Sequence, residues 1–272
     1  MPYEFDSAAM YRMPAHFGPR TGPRRGPAGE RFACQDNPRS EQYAIRFLTD
    51  SDKLAALLPP GFSLHDEPVV TLSATYMSEI EWLAGRGYNT LGLTFRARYQ
   101  GQVDDAAGNF LTVLWENLAD PIITGREELG YAKIYCELPM PTVLRGEHRI
   151  SASWLGFRFL ELRIGGLQPA SPPSPAQSLP SLHYKYMPRT GEWGVADVAY
   201  ATITPAEAPN RRIIKFAIGT GSFAFRRPRW EDMPTQFNIV NALADLPVIE
   251  LRDASLMVSI GGKDLRDTRI LR

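Results

Sequence analysis

The sequence predicts a β-rich α+β domain, with antiparallel strands closed into a barrel or cone and a few short helices. Three observations carry that expectation. Short segments of alternating polarity recur along most of the 272 residues, helical patterns are few and brief, and turn residues separate the segments without any internal repeat. A chain of this length is sufficient for a full hydrophobic core. The domain is expected to span residues 31–272, after an arm at 1–30 that interleaves Pro14, Gly18, Pro19, Gly22 and Pro23 with Arg12, Arg20, Arg24 and Arg25. Such composition favours an extended arm that packs on its own or a partner subunit, or stays mobile.

Tyr43 to Leu48 reads as the first strand. Thr49 and Asp50 suit a helix N-cap, Leu54, Leu57 and Leu58 give the helix an apolar stripe, and Pro59-Pro60-Gly61 ends it. Residues 67–77 and 90–99 alternate as strands, with the stretch around Glu79, Glu81, Trp82 and Gly85-Arg86-Gly87 as a loop near a pocket. Asp104 to Asn109 carries turn chemistry before a strand at 110–116, and Asp120-Pro121 starts a short helix that Gly130 stops. From 133 to 138 strand parity places Lys133, Tyr135 and Glu137 on one face and Ile134, Cys136 and Leu138 on the other. Strands are expected at 149–155, 157–167, 183–187, 193–203, 211–218 and 248–260, and a helix at 234–243. Residues 168–180 form a Pro/Ser loop, and Gly219-Thr-Gly-Ser222 reads as a turn without phosphate-loop context.

Composition narrows the function. Apolar residues make up 44% and charged residues 22%, with zero formal net charge, so no global field favours nucleic acid or an anionic membrane. There is no signal-like or membrane-spanning apolar run, and Cys34 and Cys136 lack metal or redox spacing, which suits a reducing cytoplasm. His16, His65, His148 and His183 are scattered without ligand spacing, so neither a metal nor another cofactor is expected. The chain uses arginine for routine positive charge. Its lysines are Lys53, Lys133, Lys185, Lys215 and Lys263.

Against that background the stretch Gly125 to Tyr135 stands out, because Lys133 lies among Tyr131, Ala132, Ile134 and Tyr135. An amine in apolar company loses hydration, favours its neutral form and becomes a nucleophile towards carbonyls. The same residues also fit a strand-start lysine that snorkels its amine to water over the two tyrosines. Lys185 and Lys215 are the alternative imine-forming lysines.

Gly-Arg-Glu-x-x-Gly-Tyr-x-Lys resembles the active-site segment of the acetoacetate decarboxylase family. So do residues 43–50 with 54–60, Asp66 to Val70, and Asn241 to Val248 in the same order, a likeness covering about residues 39–270. The resemblance implies a barrel-like fold and a lysine, here Lys133, that forms an imine with a β-keto acid. It further implies a cofactor-independent lyase, assembly into a homo-oligomer, and supporting roles for Arg126, Glu127, Tyr88 and Arg39. Arg39, or Ser40 with a one-residue shift, stands where the family has an arginine suited to clamping a carboxylate. Arg126 either tunes the site with Glu127 or pairs structurally with an acid. The second lysine of the family pair is Ile134 here, and the glutamate of its Tyr-x-Glu segment is Thr90, with Glu79 or Glu81 as candidate replacements. Two further readings stay open beside a decarboxylase: an aldolase-dehydratase using the same lysine, and a non-catalytic binding protein on the same fold.

Overall fold

The computed structural model describes residues 4–19 and 26–272. Arg20, Arg24 and Arg25 of the arm lie outside the described residues. Its strands are β1 (Arg39–Leu48), β2 (Phe62–Leu64), β3 (Val69–Ser78), β4 (Tyr88–Gln100), β5 (Asp105–Glu116), β6 (Lys133–Tyr135), β7 (Thr142–Leu144), β8 (Glu147–Trp154), β9 (Phe157–Pro169), β10 (Ser181–Pro188), β11 (Ala196–Thr204), β12 (Arg212–Phe225), β13 (Glu250–Ile260) and β14 (Arg269–Ile270). The helices are α1 (Ser51–Ala55), α2 (Ala119–Thr124) and α3 (Phe237–Ala244). All the strands belong to one sheet, ordered β14-β11-β10-β5-β4-β3-β1-β13-β12-β9-β8-β7, with β2 on β4 and β6 on β5. The expected β-rich architecture stands. The sheet is mixed rather than wholly antiparallel, because β5 pairs in parallel with both β10 and β6, and its hydrogen-bonded path runs open from β14 to β7.

The core follows from strand periodicity. Tyr43, Ile45 and Phe47 of β1 and Val70, Leu72, Ala74 and Tyr76 of β3 are buried at every second position, and the two strands pair in continuous register. Asp50 caps α1, its carboxylate accepting the Lys53 amide, and Leu54 carries the helix's buried face. Trp115 of β5 is fully buried against Phe159, with ring centroids 5.2 Å apart. Its indole N–H donates to Gln236 at 2.7 Å, and the Gln236 amide donates to the Tyr135 carbonyl at 3.0 Å. One side chain thereby fastens the start of α3 to β5 and β6.

Two local expectations need correction, and one strand was not foreseen. The turn after β4 lies at 101–104, and residues 105–109 already pair with β4 as part of β5. Gly219 to Ser222 is the middle of β12, not a turn. The pairing with β9 is irregular there, and a Cβ on Gly219 would sit 2.4 Å from the Gly165 carbonyl oxygen, so these glycines allow close approach of two strands. β7 had no sequence signal, since its three residues are exposed and do not alternate.

Candidate active site

Lys133 is the first residue of β6. That strand runs parallel to the end of β5, with Leu114 beside Lys133 and Glu116 beside Tyr135, while Glu116 faces Thr90 of β4 across the antiparallel ladder. Neighbouring residues in a sheet project to the same side, so Thr90, Glu116 and Lys133 share one face. Lys133 is 6% exposed and Glu116 0%. The Lys133 Nζ lies 2.9 Å from Glu116 Oε1 and donates to the Pro121 carbonyl at 3.1 Å. The rings of Tyr131 and Tyr88 stand 5.4 and 6.0 Å from the same nitrogen. Among the described residues no donor reaches Glu116 Oε2. Burial pushes the Glu116 carboxyl above the ordinary carboxylate range, against the opposing pull of the Lys133 charge. Tyr88 is pushed up for the same first reason, with the Glu116 charge adding to it.

The segment between these strands makes room for the amine. α2 begins with Ala119, and Pro121 is tolerated in its first turn, where an amide N–H has no helical partner. Gly125 to Leu129 then widens into one π-helical turn, which Gly130 ends in a left-handed conformation at φ 81°. Gly125 has ordinary helical angles, so its requirement is steric. A Cβ there would sit 2.5 Å from Lys133 Cδ and Cε and 2.8 Å from Nζ. Arg126 donates to the Lys133 carbonyl at 2.9 Å, and Thr202 to the Leu129 carbonyl at 2.9 Å, closing the turn onto β6 and β11.

Lys133 stands in a cavity of about 190 Å³. Its outer wall is largely apolar, with Phe32, Met77, Ile80, Trp82 and Leu265; Glu81, Lys263 and Asp264 add charge. Behind the lysine, Tyr131 stacks on His183 at 3.8 Å, and its hydroxyl is 2.8 Å from the Thr204 hydroxyl. His183 is 1% exposed; burial, with the Lys133 charge adding, holds its imidazole down to about 3. Among the described residues, no three His, Cys, Asp or Glu side chains converge as a metal-binding group.

The sequence candidates divide sharply. Lys133, Tyr88 and Glu81 line the cavity. Thr90 is buried beside Glu116 without reaching the cavity wall. Arg126 is exposed and turned to the opposite side, where it lines a shallow groove with Ile134 and Ile239; its role is to hold the Lys133 backbone. Glu127 meets Lys185 only through its carbonyl oxygen in the contacts resolved, and its side chain is not on the cavity wall. That bond also commits Lys185 elsewhere. Arg39 and Glu79 are exposed and stand off the cavity, and Lys215 is exposed on β12. Ile134 points away from Lys133, as strand parity predicts. Sequence reasoning missed Glu116, Lys263 and His183. Glu116 closes an apolar strand, a position with no local signal for a buried acid.

With this geometry in view, the acetoacetate decarboxylase (ADC) family model matches residues 12–257. The chain belongs to the acetoacetate decarboxylase family. Solved structures agree on the fold of this decarboxylase family. An acetoacetate decarboxylase matches at a TM-score of 0.67 and 17% identity, covering 91% of this chain and 94% of that one. The acetoacetate decarboxylase from Legionella pneumophila subsp. pneumophila matches at 0.64 and 18%, covering 91% and 92%. The enduracididine biosynthesis enzyme MppR, complexed with the condensation product of pyruvate and imidazole 4-carboxaldehyde, matches at 0.62 and 16%, covering 90% and 93%. No curated protein matches the sequence. No helix among the described residues is long and apolar enough to cross a membrane.

Proposed function

We propose that this family member is a Schiff-base lyase that decarboxylates a β-keto acid through an imine on Lys133. The observation that carries the reading is the buried Lys133–Glu116 pair, 2.9 Å apart, whose lysine lines a largely apolar cavity while the fully buried carboxylate stands behind it. Glu116, with its carboxyl raised by burial, accepts the ammonium proton and leaves a neutral amine to attack the keto carbon. Glu116 gives that proton up to the departing hydroxyl, and loss of water leaves the protonated imine. The bond between the carboxylate carbon and the α-carbon then breaks, its electron pair passes towards the imine nitrogen, and CO2 leaves an enamine. A proton drawn from water adds to the enamine carbon, and hydrolysis frees the ketone and Lys133. Thr90 stands where the family likeness places a carboxylate, and Glu116, its cross-strand neighbour, supplies one to the same space.

Decarboxylation is preferred to an aldolase-dehydratase because the family model that matches the chain is that of acetoacetate decarboxylase. The aldol reading is favoured by one finding alone, the structural likeness to MppR. A homo-oligomer is part of the proposal, on family likeness.

Borohydride trapping with β-keto and α-keto acids, followed by intact-mass and peptide analysis, tests the reading. The expected result is a reduced adduct on Lys133 rather than on any of the other four lysines, absent in Lys133→Ala, with CO2 released from β-keto acids. Trapping without CO2 and with consumption of an added aldehyde would transfer the chain to the aldol class. Binding of keto acids with no adduct would leave a pocket protein on an enzyme's fold.

A further inference from the structure

We propose that the substrate reaches Lys133 on a bulky, uncharged apolar arm, an aryl or branched-alkyl β-keto acid rather than a short-chain one, and that Leu265 limits how far the arm extends. This deepens the reading of Lys133 as the imine-forming residue and rests on it for the reacting group alone. The outer wall between Lys133 and the mouth is built from Phe32, Met77, Ile80, Trp82 and Leu265. Trp82 and Tyr88 form an edge-to-face pair with centroids 6.4 Å apart, an arrangement that leaves ring faces for a third group. The cavity, about 190 Å³, exceeds the ~150 Å³ of an engineered apolar cavity that accepts benzene, so one ring and a short keto acid fit together.

The charges at the mouth argue against a second anionic group on the arm. Among the described residues Lys263 is the only cation lining this wall besides Lys133, and it is engaged by the Asp267 carboxylate at 2.7 Å and by the Pro205 carbonyl. Asp264 meets Arg266 at 3.8 Å, and Glu81 adds a further negative charge. An anion at the far end of the substrate therefore meets a committed lysine and two carboxylates.

Leu265 and Lys263 also line an adjoining chamber of about 470 Å³, whose other walls include Asn109, Ser178 and Arg211. Leu265 thus stands between an apolar and a polar space. It does so at φ 58°, a conformation that a bulky side chain rarely adopts. Fixed there, it closes the apolar space to longer arms.

Unreactive 3-hydroxy acids separate arm recognition from imine chemistry, because they contain no keto carbon. Calorimetry on the wild-type protein is expected to show 3-hydroxy-3-phenylpropanoate binding on the order of 50-fold more tightly than 3-hydroxybutanoate, from the added apolar area buried. 3-Hydroxyhexanedioate, with a distal carboxylate, is expected to bind no better than 3-hydroxybutanoate. Leu265→Ala, and Leu265→Gly as the variant best suited to the left-handed backbone, are expected to raise the affinity for a biphenyl analogue relative to the phenyl one at least tenfold. Phenyl and methyl analogues within threefold of each other, or tightest binding of the dicarboxylate, would overturn the arm. An unchanged biphenyl-to-phenyl ratio in both Leu265 variants would overturn the limit. A phenyl preference without any borohydride adduct would support the arm while sinking the imine.

Discussion

Replacing Glu116 with Gln and Lys133 with Met, singly and together, tests whether the two charges depend on each other. At 2.9 Å their attraction is about 6 kcal/mol at an effective dielectric constant near 20, before desolvation is subtracted. Their side chains are 0% and 7% exposed, so water screens little of it. Glu116→Gln leaves a buried ammonium with only the Pro121 carbonyl as a resolved hydrogen-bond acceptor and is expected to cost about 3–5 kcal/mol. Lys133→Met should cost less, because a carboxyl already raised by burial can take a proton and become neutral. The double variant removes both charges and should fall short of the summed single costs by at least about 2 kcal/mol. Urea unfolding at pH 7 with matched slopes supplies the three numbers. Additivity within about 0.5 kcal/mol would refute the pairing, and with it the proton exchange on which the proposed chemistry rests.

Two further predictions concern the surroundings of the lysine. Gly125→Ala places a methyl group against the flexible end of Lys133, so Tm should change little while the rate of adduct formation falls at least about tenfold; an unchanged rate would show that the glycine is not a steric allowance. His183 has a folded-state value near 3 against an ordinary 6.5, so it is neutral in both states above pH 6.5, while below that only the unfolded chain takes the proton. Its contribution to stability should therefore fall as pH drops from 6.5 towards 3, by about 1.4 kcal/mol per pH unit at most, and urea titrations of wild type and His183→Gln between pH 7.5 and 5.5 should differ in slope by that sign.

Much of the fold was legible because alternation in β1, β3 and β4 is regular and their turns carry conventional residues. The lysine was legible because its motif is local: a glycine for space, a left-handed glycine to end the helix, and an apolar strand start. Glu116 was not, since its partnership with Lys133 comes from a parallel pairing between strands 17 residues apart in sequence, and register across such a gap is a tertiary property. Arg126 misled for a related reason. Its place in the motif suggested chemistry, whereas the π-helical turn directs it outward to the Lys133 backbone. Arg39 opens β1 directly after Asn37 and Pro38 of the cavity wall, and the sequence did not reveal that its own side chain is exposed and off that wall. The glycines of β12 looked like turn residues because close approach between β9 and β12 leaves no periodic trace in the chain itself.

The rung shared by Thr90 and Glu116 has a consequence for how relatives of this protein are recognised. A functional group carried by either residue of such a rung arrives in nearly the same volume, although the two positions are 26 residues apart along the chain. Comparison column by column records a lost acid at one position and an incidental acid at another, two unrelated differences. If Glu116 replaces the family carboxylate as proposed, comparison by spatial neighbour records a single carboxylate carried one strand sideways. A survey that requires a named residue in a named column would discard chains like this one, and one that asks which rungs contain an acid would keep them.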